Sequence, residues 1–267
     1  MARRRHATIV PVPTIEANGL TIGYEVAGDG PPLIMLHSGG GSGPADLDRQ
    51  RSLLASAFRV YLPDARGHAG TRWDVADGFS TELMVDDLFA FAEALGLTTF
   101  HLLGFSMGAM TALTAAVRHP EILRSLVTIS ITPAREPRLS VVRHALDPER
   151  IEREEPAWAA QLAARHDPTQ GTGAWRRLLP AIVDDVATQP LVAPSALRAI
   201  EVPTLVCAGD RDPFVPVGEA SLLSRQVLDG RLFVAPDTGH DVPHTAGALL
   251  DEVLTSFYRT SAKEEQP

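Results

Sequence analysis

The sequence contains a single cysteine among its 267 residues, and it has no apolar run long enough to cross a bilayer. One cysteine excludes an intramolecular disulfide, and it also excludes a zinc site that needs several thiolates. That residue, Cys207, lies in the strand-like run "PTLVCAG" (203–209), which favours an inert core thiol over a nucleophile. We therefore expect neither a metal site nor cysteine-based chemistry.

Basic residues are also in deficit, because 24 Lys and Arg face 33 Asp and Glu, which gives a net charge of −9. This balance argues against a nucleic-acid partner or an anionic membrane surface, since both require basic surface. The N-terminal "MARRRHATIVPVP" lacks the apolar segment of a signal peptide. The expectation is a cytoplasmic protein that acts on a small molecule. The sequence leaves its oligomeric state open.

Strand-like and helix-like segments alternate along most of the chain. Several strand-like runs are continuously apolar and rich in β-branched residues, as expected where helices cover both faces of a sheet. The alternation predicts an α/β fold with a doubly wound, mostly parallel sheet. The predicted strands are 20–26, 33–36, 58–63, 101–104, 125–130, 204–209 and 231–235, and the clearest helices are 80–96, 107–120 and 246–260.

The alternation breaks between residues 132 and 200. This stretch carries nine arginines and nine carboxylates, and it holds two of the three tryptophans. We interpret it as a helical cap inserted into a core formed by residues 1–131 and 201–267. Trp158 and Trp175 are candidates to line a site beneath the cap. Its arginines have acidic neighbours, which favours solvated helix faces; they include Arg135, Arg138, Arg143, Arg176 and Arg177.

The strongest local motif is "GFSMG" (104–108), which follows a predicted strand and precedes an alanine-rich helix. A sharp strand-to-helix turn forces its serine into a strained conformation, and the flanking glycines remove side chains that would collide there. The turn would raise Ser106 Oγ above the sheet edge, at a helix N-terminus that favours negative charge. Ser106 is therefore the candidate nucleophile.

A neutral serine needs a base to take its proton, and the base needs a third group to orient it. Two loops at the ends of later strands offer these groups. The loop "GDRDPFVP" (209–216) offers Asp210 and Asp212, and the loop "PDTGHDVP" (236–243) offers His240. Both loops leave the carboxyl ends of strands, where open α/β sheets build their sites. The spacing alone leaves Asp210 and Asp212 open.

These motifs, in this order, give the chain a resemblance to the α/β-hydrolase superfamily over almost its whole length. In that family the acid belongs to a "GxxDxxxP" loop and the base to a late "GH" loop. The resemblance implies Asp212 as the acid and His240 as the base. "DARGHAG" (64–70) is similar to the family's "DxRGxGxS" turn, except that Thr71 stands where serine is usual.

The glycine-rich "HSGGGSGP" (37–44) follows the strand at 33–36. It lacks the lysine of a phosphate-binding P-loop and matches a dinucleotide fingerprint only loosely. The resemblance implies that the Gly39 and Met107 amides form an oxyanion hole, and that His37 anchors the loop. Ser38 departs from the family's usual His-Gly, which opens the question whether its hydroxyl reaches the site. His68 fits a structural hydrogen bond better than catalysis.

An intact Ser-His-Asp set predicts attack on a carbonyl, an acyl-enzyme and hydrolysis, without a cofactor. The leading hypothesis is a hydrolase of a small carboxylic ester or lactone. Cleavage of a carbon–carbon bond in a diketone or ring-cleavage product is the nearest alternative, and cofactor-free perhydrolase activity uses the same residues. A hormone-receptor-like binding protein is the hypothesis from outside enzymes.

Overall fold

A computed structural model describes residues 13–264 and shows one eight-stranded sheet in the order β1-β2-β4-β3-β5-β6-β7-β8. β1 and β2 run antiparallel to their neighbours, and the pairs from β4 to β8 are parallel. This architecture confirms the predicted α/β fold. The strands are β1 (Thr14–Ala17), β2 (Leu20–Ala27), β3 (Pro32–Leu36), β4 (Arg59–Pro63), β5 (Phe100–Phe105), β6 (Leu123–Ile129), β7 (Thr204–Gly209) and β8 (Gly230–Ala235).

The first strand is the one that the sequence pattern did not predict. β1 pairs with β2 around a two-residue turn, in which Asn18 and Gly19 both have positive φ, 50° and 75°. Asn-Gly is the strongest short hairpin signal, because both residues tolerate this conformation. The signal was therefore present, although the apolar pattern of the four-residue strand was too short to find it.

Helices cover both faces of the sheet, and they divide the core into two apolar layers. Ile34 and Leu102 face one layer, whereas Leu33 and Leu103 face the other. This burial on both faces explains why β3 and β5 are continuously apolar. The helices of the first layer are α2 (Thr81–Ala94), α3 (Met107–Arg118) and α9 (Val217–Gln226); those of the second are α1 (Gly43–Leu54) and α11 (Gly247–Glu264).

Five helices lie between β6 and β7, in the stretch interpreted as a cap. Several of these helices share an apolar cluster that contains the buried side chains of Ile151, Leu162 and Trp175. The five are α4 (Arg138–Ala145), α5 (Pro148–Glu154), α6 (Pro156–Gln170), α7 (Trp175–Thr188) and α8 (Pro194–Leu197). A short α10 (Val242–Thr245) and 3₁₀ turns at Val75–Asp77 and Pro120–Ile122 complete the elements. None of the helices within residues 13–264 combines the length and apolar character needed to cross a bilayer.

Candidate active site

Ser106 stands at a sharp turn between β5 and α3, which we call the elbow (residues 104–108). Its φ of 53° and ψ of −113° are rare for a residue with a side chain, and such backbone strain costs about 1–3 kcal/mol. The flanking glycines make the turn sterically feasible. A Cβ on Gly104 would lie 2.2 Å from Gly108 O, and one on Gly108 would lie 2.4 Å from Leu36 O. The turn therefore requires the motif's glycines.

Ser106 is hydrogen-bonded to His240, which is in turn bonded to Asp212. His240 Nε2 lies 2.8 Å from Ser106 Oγ, and its Nδ1 lies 2.9 Å from Asp212 Oδ2. Because an ionised carboxylate only accepts, it fixes the proton on Nδ1 and leaves Nε2 free to accept the serine proton. The Asp212 side chain is fully buried and also accepts from the Phe214 and Val215 amides. The structure thus brings the three predicted residues together in a chain of hydrogen bonds.

Packing and one further hydrogen bond hold the His240 loop in place. The Phe214 ring lies 4.1 Å from the imidazole, centroid to centroid, and Phe105 contacts it from β5. Ser130 Oγ, just after β6, donates to the His240 carbonyl at 2.8 Å. Ser130 is buried and has a positive φ of 56°. Nothing in the run "SLVTIS" distinguishes this serine from its neighbours, so its role is visible only in the structure.

Asp210, the alternative acid, has a different role. Its carboxylate accepts from the Thr238 amide at 3.0 Å, and this hydrogen bond lowers the pKa of Asp210. The contact joins the acid loop to the base loop. Gly209 allows the two loops to approach, since a Cβ there would lie 2.1 Å from the Thr238 carbonyl oxygen. Contact with His240 therefore distinguishes Asp212 from Asp210.

Residues 37–43, which we call the glycine loop, are anchored by three buried histidines. His37 Nε2 accepts from the Ala65 amide, and His68 Nε2 accepts from the Gly40 amide at 3.0 Å. His166, on α6, accepts from the Ala69 amide at Nδ1 and donates from Nε2 to the Gly40 carbonyl at 3.1 Å. The Gly40 peptide is thus held at both its amide and its carbonyl.

His68 and His166 are neutral in this arrangement, because one ring nitrogen of each accepts from a backbone N–H. Burial lowers the pKa of His166 to about 4, and it lowers the pKa of His68 well below the ordinary value. Arg165 adds to both effects and also donates from Nη1 to the Gly40 carbonyl at 2.5 Å. The loop is therefore built on uncharged histidines with defined tautomers.

The amides of Gly39 and Met107, the predicted oxyanion hole, both belong to residues that line the cavity at Ser106. Within residues 13–264, neither N–H donates to a protein acceptor. The Gly108 amide ties the two loops together by donating to the His37 carbonyl at 3.1 Å. Gly39 leaves room for the cap, because a Cβ there would lie 3.2 Å from Ile182 Cδ1. Two unused donors therefore lie beside the serine.

Ser38 points its hydroxyl at Asp46, on α1. Asp46 Oδ2 accepts from the Ser38 amide at 2.8 Å and from Ser38 Oγ at 2.6 Å. The carboxylate sits tightly under the loop, since a Cβ on Gly41 would lie 2.0 Å from the same oxygen. The departure from His-Gly thus supplies one more anchor of the loop. Asp46 was not found from the sequence, where it resembles an ordinary first-turn acid of a helix.

A cavity of about 270 Å³ lies between the sheet edge and the cap. Trp158 lines it, as does Ser38, whereas Trp175 is buried in the apolar cluster of α6 and α7. Trp175 therefore does not line the site, although Ile182, two turns further along α7, does. The interpretation of the cap arginines as solvated holds for Arg143, Arg176 and Arg177, which are exposed. It is wrong for Arg138, which is buried and lines the cavity.

Cys207 is buried in β7, and burial raises the pKa of its thiol well above the ordinary value. The described residues contain no group of three His, Cys, Asp or Glu side chains placed to hold a metal ion. The titratable side chains that line the cavity are Asp46, Arg138, Asp185, His240, Asp241 and His244.

Comparisons with known proteins agree with this architecture. RutD of Pantoea ananatis (strain LMG 20103) is 33% identical over 97 residues. The match covers only 36% of this chain and 35% of RutD. The serine hydrolase BPHL of Homo sapiens is 24% identical over 246 residues, 88% of this chain and 82% of that protein. The solved structure of Est816, described as an N-acyl homoserine lactone degrading enzyme, has a TM-score of 0.73 at 25% identity, and the match covers 92% of this chain and 100% of Est816.

The family model for the alpha/beta hydrolase fold matches residues 31–170, more than half of the chain. The matched region contains the glycine loop and the elbow, and the sheet order and strand-end loops described above agree with it. The chain therefore belongs to the α/β-hydrolase family.

Proposed function

We propose that this protein is a serine hydrolase that cleaves a carboxylic ester or lactone of a small organic substrate. The observation that carries the proposal is the hydrogen-bonded chain Asp212–His240–Ser106 beside two unused amides. A serine oxygen, a base and a pair of oxyanion donors are the groups that acyl transfer needs. Support also comes from the human relative named a serine hydrolase and from Est816, which acts on a lactone.

The first half of the reaction acylates the serine. Ser106 Oγ attacks the carbonyl carbon while His240 Nε2 takes its proton, and the carbonyl oxygen becomes an oxyanion near the Gly39 and Met107 amides. Asp212 stabilises the imidazolium through Nδ1–H. The intermediate collapses when His240 returns the proton to the leaving alkoxide, which departs as an alcohol and leaves an acyl-enzyme.

The second half hydrolyses the acyl-enzyme by the same groups. His240 takes a proton from water, the hydroxide attacks the acyl carbon, and the same amides stabilise the oxyanion. Proton return to Ser106 Oγ then releases the carboxylic acid. The strained φ of Ser106 holds its oxygen at the helix N-terminus throughout, so no rearrangement of the nucleophile is required.

Replacement of the nucleophile tests the proposal directly. Ser106→Ala should lower kcat/KM for short-chain p-nitrophenyl esters by at least ~10³-fold, because the residual rate then comes from binding and the oxyanion hole alone. The thermal unfolding midpoint should stay within a few degrees of wild type. Sustained turnover by this variant would rule out acylation at Ser106.

A matched pair of aspartates tests the acid. Asp212→Asn should lose on the order of 10³- to 10⁴-fold in kcat, since the amide no longer fixes the His240 tautomer. Asp210→Asn keeps an oxygen for the Thr238 amide and should lose less than ~5-fold. The reverse order would transfer the role to Asp210.

The alternatives separate in one substrate panel of esters, lactones and diketones, with and without hydrogen peroxide. A carbon–carbon hydrolase would turn over the diketones faster than any ester. A perhydrolase would make peracid from the ester and peroxide. A receptor-like protein would release one equivalent of p-nitrophenol and then stop.

A further inference from the structure

Arg138 is the buried cation of the cavity. It is the first residue of α4, it is only 5% exposed, and it lines the same cavity as Ser106 and His240. Taking a guanidinium out of water carries a penalty of several kcal/mol, which partners must offset. A cap that only needed a polar surface would leave such a residue at the solvent, as it does with Arg143 on the same helix.

Among residues 13–264, the direct hydrogen-bond partner of the Arg138 guanidinium is neutral. The side-chain amide of Gln189 lies between Arg138 and Thr81. Its oxygen accepts from the two terminal nitrogens of Arg138 at 2.9 and 3.2 Å, and its nitrogen donates to Thr81 Oγ1. The Arg138 Nε–H has no acceptor among residues 13–264. A guanidinium offers five N–H donors, so part of its hydrogen-bonding capacity is unused.

Asp185 also lines the cavity, but its carboxylate is directed elsewhere. It accepts from the amide and the hydroxyl of Thr81, both at 2.8 Å. No carboxylate of the described residues lies within ion-pair distance, 4 Å, of the Arg138 guanidinium. Asp185 attracts Arg138 at longer range, while Arg135 repels it. The cation thus has a distant counter-charge and no direct one.

Arg138 remains charged at neutral pH, since burial lowers the pKa of its guanidinium only to about 10. Burial also raises the pKa of Asp185, so burial disfavours the charged form of the one carboxylate that attracts Arg138 at longer range. Hydrogen bonds from a cation to a carboxylate are roughly twice as strong as those to a neutral acceptor. An anionic oxygen group entering the cavity would therefore complete this site better than water or an apolar chain.

We infer that the substrate of this hydrolase carries a free carboxylate in addition to its scissile ester or lactone, and that Arg138 binds that carboxylate within the cavity. The inference rests on the proposed function, because it assigns the substrate class of the same site. It makes Arg138 a specificity-determining residue that binds the non-reacting end of the substrate.

A pair of substrates that differ only at the distal end tests the inference. Mono-p-nitrophenyl adipate has a free carboxylate, and the corresponding methyl p-nitrophenyl diester does not. Wild type should prefer the acid by about 10-fold or more in kcat/KM. A series of mono-p-nitrophenyl esters from glutarate to suberate should show the chain length at which this preference is greatest. Arg138→Met should lower kcat/KM for the acid by about 10- to 100-fold through KM, and change that for the diester by less than ~3-fold.

Two variants complete the test. Arg143→Met removes an exposed arginine from the same helix and should leave both rates unchanged. Arg138→Lys keeps the charge and should restore part of the preference for the acid. If Arg138→Met does not fold, the wild-type preference alone still decides, since the inference requires it.

The outcomes separate the two proposals. Wild type that hydrolyses the diester as well as every acid of the series would overturn the carboxylate site and leave the hydrolase intact. Equal losses on both substrates in Arg138→Met would show that the residue only holds the cap in place. Wild type that hydrolyses neither compound would count against the proposed function itself.

Discussion

The elbow and the glycine loop lie side by side at the sheet edge, yet they hold their conformations by different means. The sharp turn of the elbow is encoded in its own five residues, through a strained Ser106 and two glycines that admit the backbone on either side. Its Ser106 and Gly108 amides donate to backbone carbonyls. The glycine loop depends on side chains from elsewhere in the chain, among them Asp46, His68 and His166. One loop is therefore specified locally, whereas the other is assembled by tertiary contacts.

This difference predicts how each loop should respond to substitution. A change inside the elbow meets backbone that cannot move, because the nearest atoms belong to β3 and to the turn itself. A change at the glycine loop removes one anchor of several, and the remaining anchors still hold the Gly40 peptide. Substitutions should thus be severe in the elbow and graded in the glycine loop.

Gly108→Ala should have the largest effect. The added Cβ would lie 2.4 Å from Leu36 O and 2.6 Å from His37 O, so either β3 or α3 must shift. That shift would also disturb the hydrogen bond from the Gly108 amide to the His37 carbonyl, which joins the two loops. Misplacement by about 1 Å typically costs on the order of 10² in rate, and we expect at least that loss in kcat.

The control for this variant is Gly218→Ala in α9, where an added Cβ meets nothing within 4 Å. It should keep full activity and an unchanged or slightly higher Tm. Comparable kcat values for the two variants would show that the elbow has more room than its geometry implies.

The same contrast explains what the sequence could predict. The elbow and the strand-end loops with Asp212 and His240 are each encoded within a few consecutive residues, so their patterns are visible in the chain. His166 lies 126 residues from the Gly40 carbonyl that it binds, and no local pattern relates the two. His166 could therefore be identified as an anchor of the glycine loop only from the structure, whereas His37 was already implied by the family resemblance.

The cap shows a second limit. Mixed-charge segments predicted helices there, but they did not reveal which side of each helix faces the cavity. Trp175 turns toward the cap's own apolar cluster, while Arg138 turns toward the site. Arg138 begins a helix of only eight residues, and the sequence does not show which helices of this stretch lie against the sheet edge, so it could not distinguish the surroundings of these two residues.

Asp46→Ala should have an intermediate effect, because it removes two hydrogen bonds from Ser38 and leaves the Ser38 amide without its acceptor. We expect a loss of about 10-fold in kcat, since loss of this anchor displaces the neighbouring oxyanion amide of Gly39. Ser38→Ala keeps the hydrogen bond from its backbone amide to Asp46 and should lower kcat only about 2- to 3-fold.

Asp48→Ala, an exposed position on the same helix, is the control and should match wild type. A faster Asp46→Ala enzyme would contradict the anchoring role. It would mean that the Asp46 charge opposes the oxyanion more than its hydrogen bonds position the loop.

The smallest effect concerns the pH dependence of stability through His166, the anchor supplied by the cap. Its pKa is about 4 in the folded protein, below the ordinary value of 6.5, because burial and Arg165 disfavour the charged ring and outweigh the hydrogen bond to the Gly40 carbonyl and the attraction of Asp167. Stability from the neutral ring is complete above pH 6.5 and is lost as the pH falls toward 4. Between pH 7 and 5.5 the loss is about 1 kcal/mol, or roughly 2–4 °C in Tm.

The Tm advantage of wild type over His166→Asn should shrink by that amount, whereas the difference from His144→Asn, an exposed position on α4, should stay constant. A constant advantage over His166→Asn would mean that protonation of this ring does not loosen the loop.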